Sequence, residues 1–202
     1  FEGEKVMYPG LYFFTDKRGE YVEFVVYNEV LDFEFSTWGD DWLHNMSVKG
    51  SEENAVFYEF HRMSKRFQSK EGAPAVEGSE EYKEYMQRQA EEWDKLRDKF
   101  IKEHRESFVS KMMHATKPPE VPETDPMGVP LTNQQRWEIY AAHYFDNMPL
   151  EEDFLVRTPR SIFFDRVMDY CDKVMAGAPP ETLEPYLDML LGRAKSSDEN
   201  FH

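Results

Sequence analysis

The chain has 202 residues, and its 40 Asp and Glu against 24 Lys and Arg give a formal charge of −16. The acidic charge argues against a nucleic-acid-binding protein, because phosphate contacts need clustered Lys and Arg. No apolar run approaches the roughly 20 residues that a membrane-spanning helix needs, and the single cysteine, Cys171, excludes an internal disulfide and a cysteine-rich zinc site.

Residues 1–67 hold 16 of the 31 aromatic residues, so the core-forming side chains are concentrated there. Two β-rich runs, 11–15 and 21–27, flank a short turn and predict a hairpin. Strict alternation over 31–35 adds a third antiparallel strand, so we expect a three-stranded sheet with one polar face.

A helix that begins at the N-cap Ser51 is expected to cover this sheet, because two acids follow the cap and bases lie near its end. A strand over 56–60 is the alternative, since aromatic residues favour sheets. The helical spacing places four apolar side chains on one face: Val56, Phe60, Met63 and Phe67.

A flexible connector over 68–78 precedes a long amphipathic helix predicted over 79–114, with Ser79 as its N-cap. At about 1.5 Å per residue, such a helix spans roughly 50 Å. It either folds back on its own domain or projects as an arm whose apolar stripe binds a partner. The stripe residues are the candidate partner contacts: Tyr82, Tyr85, Met86, Trp93, Leu96, Phe100, Phe108 and Met112.

Residues 115–131 form a proline-rich strap, with five prolines within 117–131. This composition predicts an extended segment that separates two modules or lies along another protein. The run from Pro119 to Pro122 matches a bare PxxP pattern without the flanking base that SH3 binding favours, so a spacer is the better interpretation. Pro118, Pro119 and Pro122 are nevertheless included among the candidate partner contacts.

Three helices are predicted over 132–193, followed by a polar tail over 194–202. Thr132 with Gln135 forms a capping-box pattern that opens the first helix, which is expected to run to about Phe145. Thr158 before a proline opens the second, which is expected to end near Gly177, and Pro180 opens the third, which Gly192 is expected to follow. The whole pattern predicts an α+β, mainly α fold: a small N-terminal antiparallel sheet with a covering helix, one long helix, a strap and a C-terminal three-helix cluster.

Catalytic motifs do not stand out in the sequence, which has no P-loop, no HExxH and no GxSxG. The sets Asp40, Asp41 and His44, and His143 with Asp146, fall short of a zinc site's ligands. We therefore expect no catalytic residue, no metal and no cofactor. The basic cluster over 61–70 either complements the dipole of its own helix or anchors an acidic partner or anionic lipid.

The leading expectation is a non-catalytic accessory or scaffold subunit that binds other protein subunits of a large assembly through the long helix and the strap. A start at Phe1 is typical of an excised piece or of a chain whose import signal has been removed. We therefore expect a soluble mitochondrial protein in a respiratory or ATP synthase complex, with at most peripheral membrane contact. The alternatives are a small enzyme with a polar pocket around residues 38–42, and an acidic regulatory protein that binds a basic partner.

Overall fold

The computed structural model describes residues 7–17, 19–28, 32–68, 72–74, 76–158, 162–176 and 180–195. The chain divides into two compact units. The N-terminal unit is Tyr12–Lys111, and the C-terminal unit combines Phe1–Leu11 with Met112–His202. The described residues form four strands and six α helices, which confirms the α+β, mainly α class.

Two separate two-stranded sheets replace the predicted three-stranded sheet. The strands are β1 (Gly10–Thr15), β2 (Tyr21–Val26), β3 (Glu34–Ser36) and β4 (Ser47–Lys49). β1 pairs with β2, whereas β3 pairs antiparallel with β4. The prediction was wrong because β4 has only three residues, too few to show an alternating pattern. Leu31, the first residue of the predicted third strand, lies outside the described residues.

Phe24 of β2 joins the two sheets through ring contacts on one face. Its ring centroid lies 5.7 Å from that of Tyr12 and 4.6 Å from that of Phe14, both on β1. It also lies 6.1 Å from Phe33 and 6.2 Å from Phe35. The predicted alternation therefore does place Phe33 and Phe35 on one apolar face. Each such aromatic pair adds about 0.5–1.5 kcal/mol beyond simple burial.

The covering element is the helix α1 (Glu52–Gln68), as predicted, and not a strand. Ser51 caps it, since the Asn54 backbone N–H donates to the Ser51 hydroxyl at 3.0 Å. The side chain of Asn54 fixes this helix end to β2. Its Oδ1 accepts from the Val25 N–H at 2.7 Å, and its Nδ2 donates to the Val25 carbonyl at 2.8 Å.

The long helix predicted over 79–114 is interrupted. α2 (Glu80–Glu103) begins at the predicted cap, where the Tyr82 N–H donates to the Ser79 hydroxyl, and α3 (Phe108–Ala115) follows after a break at 104–107. Two acceptors cap the new helix start. The Ser110 N–H donates to the Ser107 hydroxyl at 3.2 Å, and the Phe108 N–H donates to Glu53 Oε2 at 2.9 Å. The prediction of a continuous helix was wrong: the Ser107 cap is local, but the Glu53 contact that stabilises the break comes from tertiary structure.

The C-terminal unit contains the three predicted helices and two short turns. They are α4 (Asn133–Ala142), a 3₁₀ helix (Asp153–Arg157), α5 (Ile162–Tyr170), a π-helical turn (Cys171–Met175) and α6 (Pro180–Ala194). The capping box is confirmed, with the Gln135 N–H donating to the Thr132 hydroxyl at 3.2 Å. The Thr158 hydroxyl accepts from the Ile162 N–H at 3.1 Å, whereas residues 159–161, where the predicted helix start falls, lie outside the described residues.

Several predicted helix boundaries differ from the structure. α4 ends at Ala142, three residues before Phe145, and Gly192 lies within α6 instead of after it. Gly177 and residues 196–202 of the predicted polar tail lie outside the described residues. The core of this unit is aromatic, with Tyr144, Phe145 and Tyr170 fully buried.

Candidate protein-binding surfaces

The C-terminal half of the α2 stripe packs on α1 within the N-terminal unit. The Trp93 ring lies 5.1 Å from Phe67 and 6.1 Å from Phe60 of α1. Phe100 is buried and lies 5.7 Å from the same Phe60 ring. This part of the stripe therefore supports the interpretation in which the helix folds back on its own domain.

Phe108, another predicted partner contact, is also a core residue. It is fully buried after the helix break, and its ring lies 5.9 Å from that of Tyr27. The same Tyr27 hydroxyl accepts a 2.6 Å hydrogen bond from Lys111. Because Phe100 and Phe108 are enclosed by their own unit, they are not available as surface contacts, whereas Met112 is half-buried in the C-terminal unit.

The remaining stripe residues keep part of their apolar surface exposed. Met86 is 47% exposed and Leu96 is 38% exposed, while Tyr82 and Tyr85 are half-buried. All 24 residues of α2 are described, and Phe100 is the only one that is buried. The stripe is therefore packed at Trp93 and Phe100, whereas Met86 near its start and Leu96 between the two packed residues keep exposed apolar surface.

The first part of the strap packs on its own unit. Pro119 is buried, whereas Pro118 and Pro122 are exposed. Asn147 holds the strap, since its Nδ2 donates to the Pro118 carbonyl at 3.0 Å. Because Pro119 is covered by its own unit, it is not available as a partner contact, unlike the exposed Pro118 and Pro122.

A shallow groove of about 610 Å³ lies between this part of the strap and the end of α4. His143 and Asp146, the pair noted in the sequence, both line it. His143 Nδ1 lies 2.6 Å from one carboxylate oxygen of Asp146, and Arg193 donates to the other at 2.5 Å. Hydrogen bonds from His143 and Arg193 hold the pKa of Asp146 below its usual value. Both oxygens of the carboxylate are therefore occupied by protein donors.

The second part of the strap, residues 123–131, doubles back as a hairpin, so the prediction of an extended segment is wrong for this part. Thr124 and Pro130 form an antiparallel bridge. The Asp125 N–H donates to the Val129 carbonyl at 2.8 Å, and the Leu131 N–H donates to the Glu123 carbonyl at 2.9 Å. The chain therefore reverses direction within the strap.

Asp125 organises the turn of this hairpin. Its Oδ1 accepts from the N–H groups of Met127 and Val129, each at 2.9 Å. Gly128 adopts φ +82°, a left-handed conformation that favours glycine. The sequence carried a signal for this turn, because Asp, Pro and Gly occupy the first, second and fourth positions over 125–128, as a type I turn prefers. Met127, at the tip, is 90% exposed.

The acidic loop that motivated the enzyme hypothesis is tied to its neighbours. Asp41 forms an ion pair with Lys65 of α1 and also accepts from the His44 backbone N–H. Trp38 is exposed, and Trp42 is half-buried. Among the described residues, no group of three or more His, Cys, Asp or Glu side chains is arranged to hold a metal ion.

The basic cluster at the end of α1 makes contacts within its own unit. Arg62 donates to the Met46 carbonyl at 3.4 Å, and Lys65 pairs with Asp41. His61 Nε2 lies 3.9 Å from the carboxylate of Glu23. Burial lowers the pKa of His61 and raises the pKa of Glu23. Lys70 lies outside the described residues.

Tyr144 and Asp169 link α5 to the segment after α4. The Tyr144 hydroxyl donates to Asp169 at 2.5 Å, and Lys173 lies 2.8 Å from the same carboxylate. Burial is the main cause that raises the pKa of Tyr144, and hydrogen bonds from Lys173 and Tyr144 lower the pKa of Asp169. Burial also raises the pKa of Tyr170 to about 12. The hydrogen bonds among Tyr144, Asp169 and Lys173 lie at the edge of the aromatic core formed by Tyr144 and Tyr170. Cys171, the next residue after Tyr170, is half-buried.

Within the described segments, every helix is too short or too polar to cross a bilayer. Comparisons with protein-family models, with curated proteins and with solved structures find no match to the chain. The structure establishes an α+β, mainly α fold.

Proposed function

We propose that the chain is a non-catalytic accessory subunit of a larger protein assembly, and that it binds neighbouring subunits through the exposed residues of the α2 stripe and through the strap. The observation that carries this proposal is the partly exposed stripe. Met86 and Leu96 keep large exposed fractions on a 24-residue helix in which one side chain alone is buried. Exposed apolar surface beside a packed core is typical of interaction sites.

The charge pattern of α2 supports the same interpretation. Its polar faces carry pairs of opposite charge, such as Lys83 with Glu80 at 2.6 Å and Arg97 with Asp94 at 2.8 Å. These pairs solvate the helix and leave its apolar stripe as the feature available for recognition. Exposed ion pairs of this kind contribute little to stability.

A native-mass measurement tests the proposal. The tagged chain is expressed in the cells that carry it, and its mass is measured by native gel and size exclusion after gentle lysis. We expect it to migrate far above its own mass of 24.0 kDa. A wild-type chain that migrates at its own mass would overturn the proposal, and cell fractionation tests the expected mitochondrial respiratory or ATP synthase complex.

A pair of adjacent substitutions tests the surface itself. Met86→Glu places a charge on the exposed stripe, whereas Gln87→Glu places the same charge on the neighbouring exposed position outside it. We expect Met86→Glu to release the chain from the assembly about tenfold more than Gln87→Glu, which corresponds to about 1.4 kcal/mol. Equal behaviour of the two variants, with unchanged thermal unfolding, would remove α2 as a contact.

A further inference from the structure

The hairpin over 123–131 presents an apolar tip in a fixed conformation. Three backbone hydrogen bonds and two to the Asp125 carboxylate hold it, at distances from 2.8 to 2.9 Å. Met127 projects from this turn with 90% of its surface exposed, and Val129 beside it is also exposed. A turn that is already ordered loses little conformational entropy when it binds.

The charged residues that flank the tip along the chain are acidic. From position 118 to position 135 the sequence contains Glu120, Glu123 and Asp125 and no Lys or Arg. Glu120 and Glu123 are exposed. An apolar tip whose charged neighbours along the chain are acidic complements an apolar pocket rimmed by basic residues, because opposite potentials steer association and select the partner. The same acidic residues oppose binding to anionic lipid.

We propose that residues 123–131 form a docking hairpin that inserts Met127 into an apolar pocket rimmed by Lys or Arg on a neighbouring protein subunit. The inference rests on the proposed function and names the part of the strap that makes the contact. Methionine suits this role because its flexible, polarisable side chain adapts to irregular apolar pockets.

Native mass again provides the readout, with variants at the tip. Met127→Glu is expected to reduce assembly of the full chain by about 10- to 100-fold, the range that corresponds to losing one buried methionine side chain. Met127→Leu, which conserves volume, is expected to assemble normally. Val76→Glu is the matched control, since Val76 is 67% exposed and lies in the other unit.

Two further variants test the preformed turn and the charge. Asp125→Ala removes both side-chain hydrogen bonds that order the turn but leaves the Met127 side chain itself unaltered. We therefore expect reduced assembly without a change in the thermal unfolding of the chain. Reversing both exposed acids, as Glu120→Lys with Glu123→Lys, is expected to weaken assembly most strongly at low salt.

A photo-crosslinker at position 127 identifies the site on the partner, and we expect an adduct with an apolar segment flanked by basic residues. If wild type assembles and Met127→Glu assembles equally well, this inference fails while the proposed function stands. If wild type is not assembled at all, the proposed function fails first. Met127→Glu could instead affect only the binding of the chain to zwitterionic vesicles, or only the self-association of the purified chain. Either result would overturn the assignment of a protein partner.

Discussion

Replacing Asn54 with alanine removes two hydrogen bonds between α1 and β2 and leaves both backbone polar groups of Val25 without a partner. These bonds are short, at 2.7 and 2.8 Å, and both residues are fully buried. Each buried group left unpaired costs about 1–3 kcal/mol. We therefore expect Asn54→Ala to lower the free energy of unfolding by about 2–6 kcal/mol, a large fraction of a typical domain's stability.

Asn54→Asp separates the loss of a donor from the loss of volume. The isosteric aspartate still accepts from the Val25 N–H, but when ionised it has no donor for the Val25 carbonyl, and it adds a buried charge. We expect strong destabilisation at pH 7 that lessens as the carboxyl is protonated at lower pH. Asn45→Ala is the control, because Asn45 makes one hydrogen bond at the surface, to the Trp38 carbonyl at 2.9 Å. Its cost should stay within about 1 kcal/mol.

Urea unfolding followed by tryptophan fluorescence measures the free energies, with Trp38, Trp42 and Trp93 reporting on the N-terminal unit. Hydrogen exchange gives an independent local readout, since the Val25 amide should lose its protection in Asn54→Ala. If Asn54→Ala costs no more than Asn45→Ala, or if the Val25 amide stays protected, then the side-chain bridge does not hold α1 on the sheet.

Two further outcomes follow from single residues of the N-terminal unit. Gly50→Ala should cost about 2 kcal/mol or more, because φ is +81° and a Cβ would lie 2.5 Å from the Asp32 carbonyl oxygen. Gly19→Ala, at φ +83° with no atom within 4 Å of the added Cβ, should cost about 1 kcal/mol. If urea unfolding gives the same free-energy loss for both variants, the steric argument is refuted. Because burial lowers the pKa of His61, the unfolded state binds more protons below the ordinary histidine pKa, so stability should fall as pH decreases from 7.5 to 5.5. In urea unfolding at each pH, His61→Gln should flatten this dependence of stability on pH, and an unchanged slope of stability against pH would contradict the argument. Glu23, whose pKa is raised, changes stability in the opposite direction at lower pH.

Helix starts could be predicted from the sequence because a cap is a local interaction. Ser51, Ser79 and Thr132 all accept the hydrogen bonds that their positions predicted. Each needs only a side-chain oxygen a few residues before a backbone donor. The choice of helix over strand for α1 was settled the same way, by a cap and by charges that complement the helix dipole.

The features that the sequence did not predict depend on distant contacts. The break after α2 is stabilised by Glu53, which lies 55 positions before its donor Phe108. Pro119 is buried in its own unit, where Asn147, far along the chain, donates to the neighbouring Pro118 carbonyl. The 125–128 turn is different, because its Asp, Pro and Gly form a local turn pattern. The strap was predicted to be extended because of its five prolines, and this turn pattern was not considered.

The stripe of α2 and α3 shows why spacing alone does not separate a core from an interface. Leu96 and Phe100 follow one another at a four-residue interval, yet Leu96 is 38% exposed and Phe100 is buried. The difference arises because Phe60 of α1 lies beside Phe100 at 5.7 Å. Partner contacts should therefore be sought among apolar side chains that an ordered element presents and its own unit leaves uncovered. Met86 on α2 and Met127 on the docking hairpin meet both conditions, and so they are the residues whose substitution distinguishes an assembly subunit from a free chain.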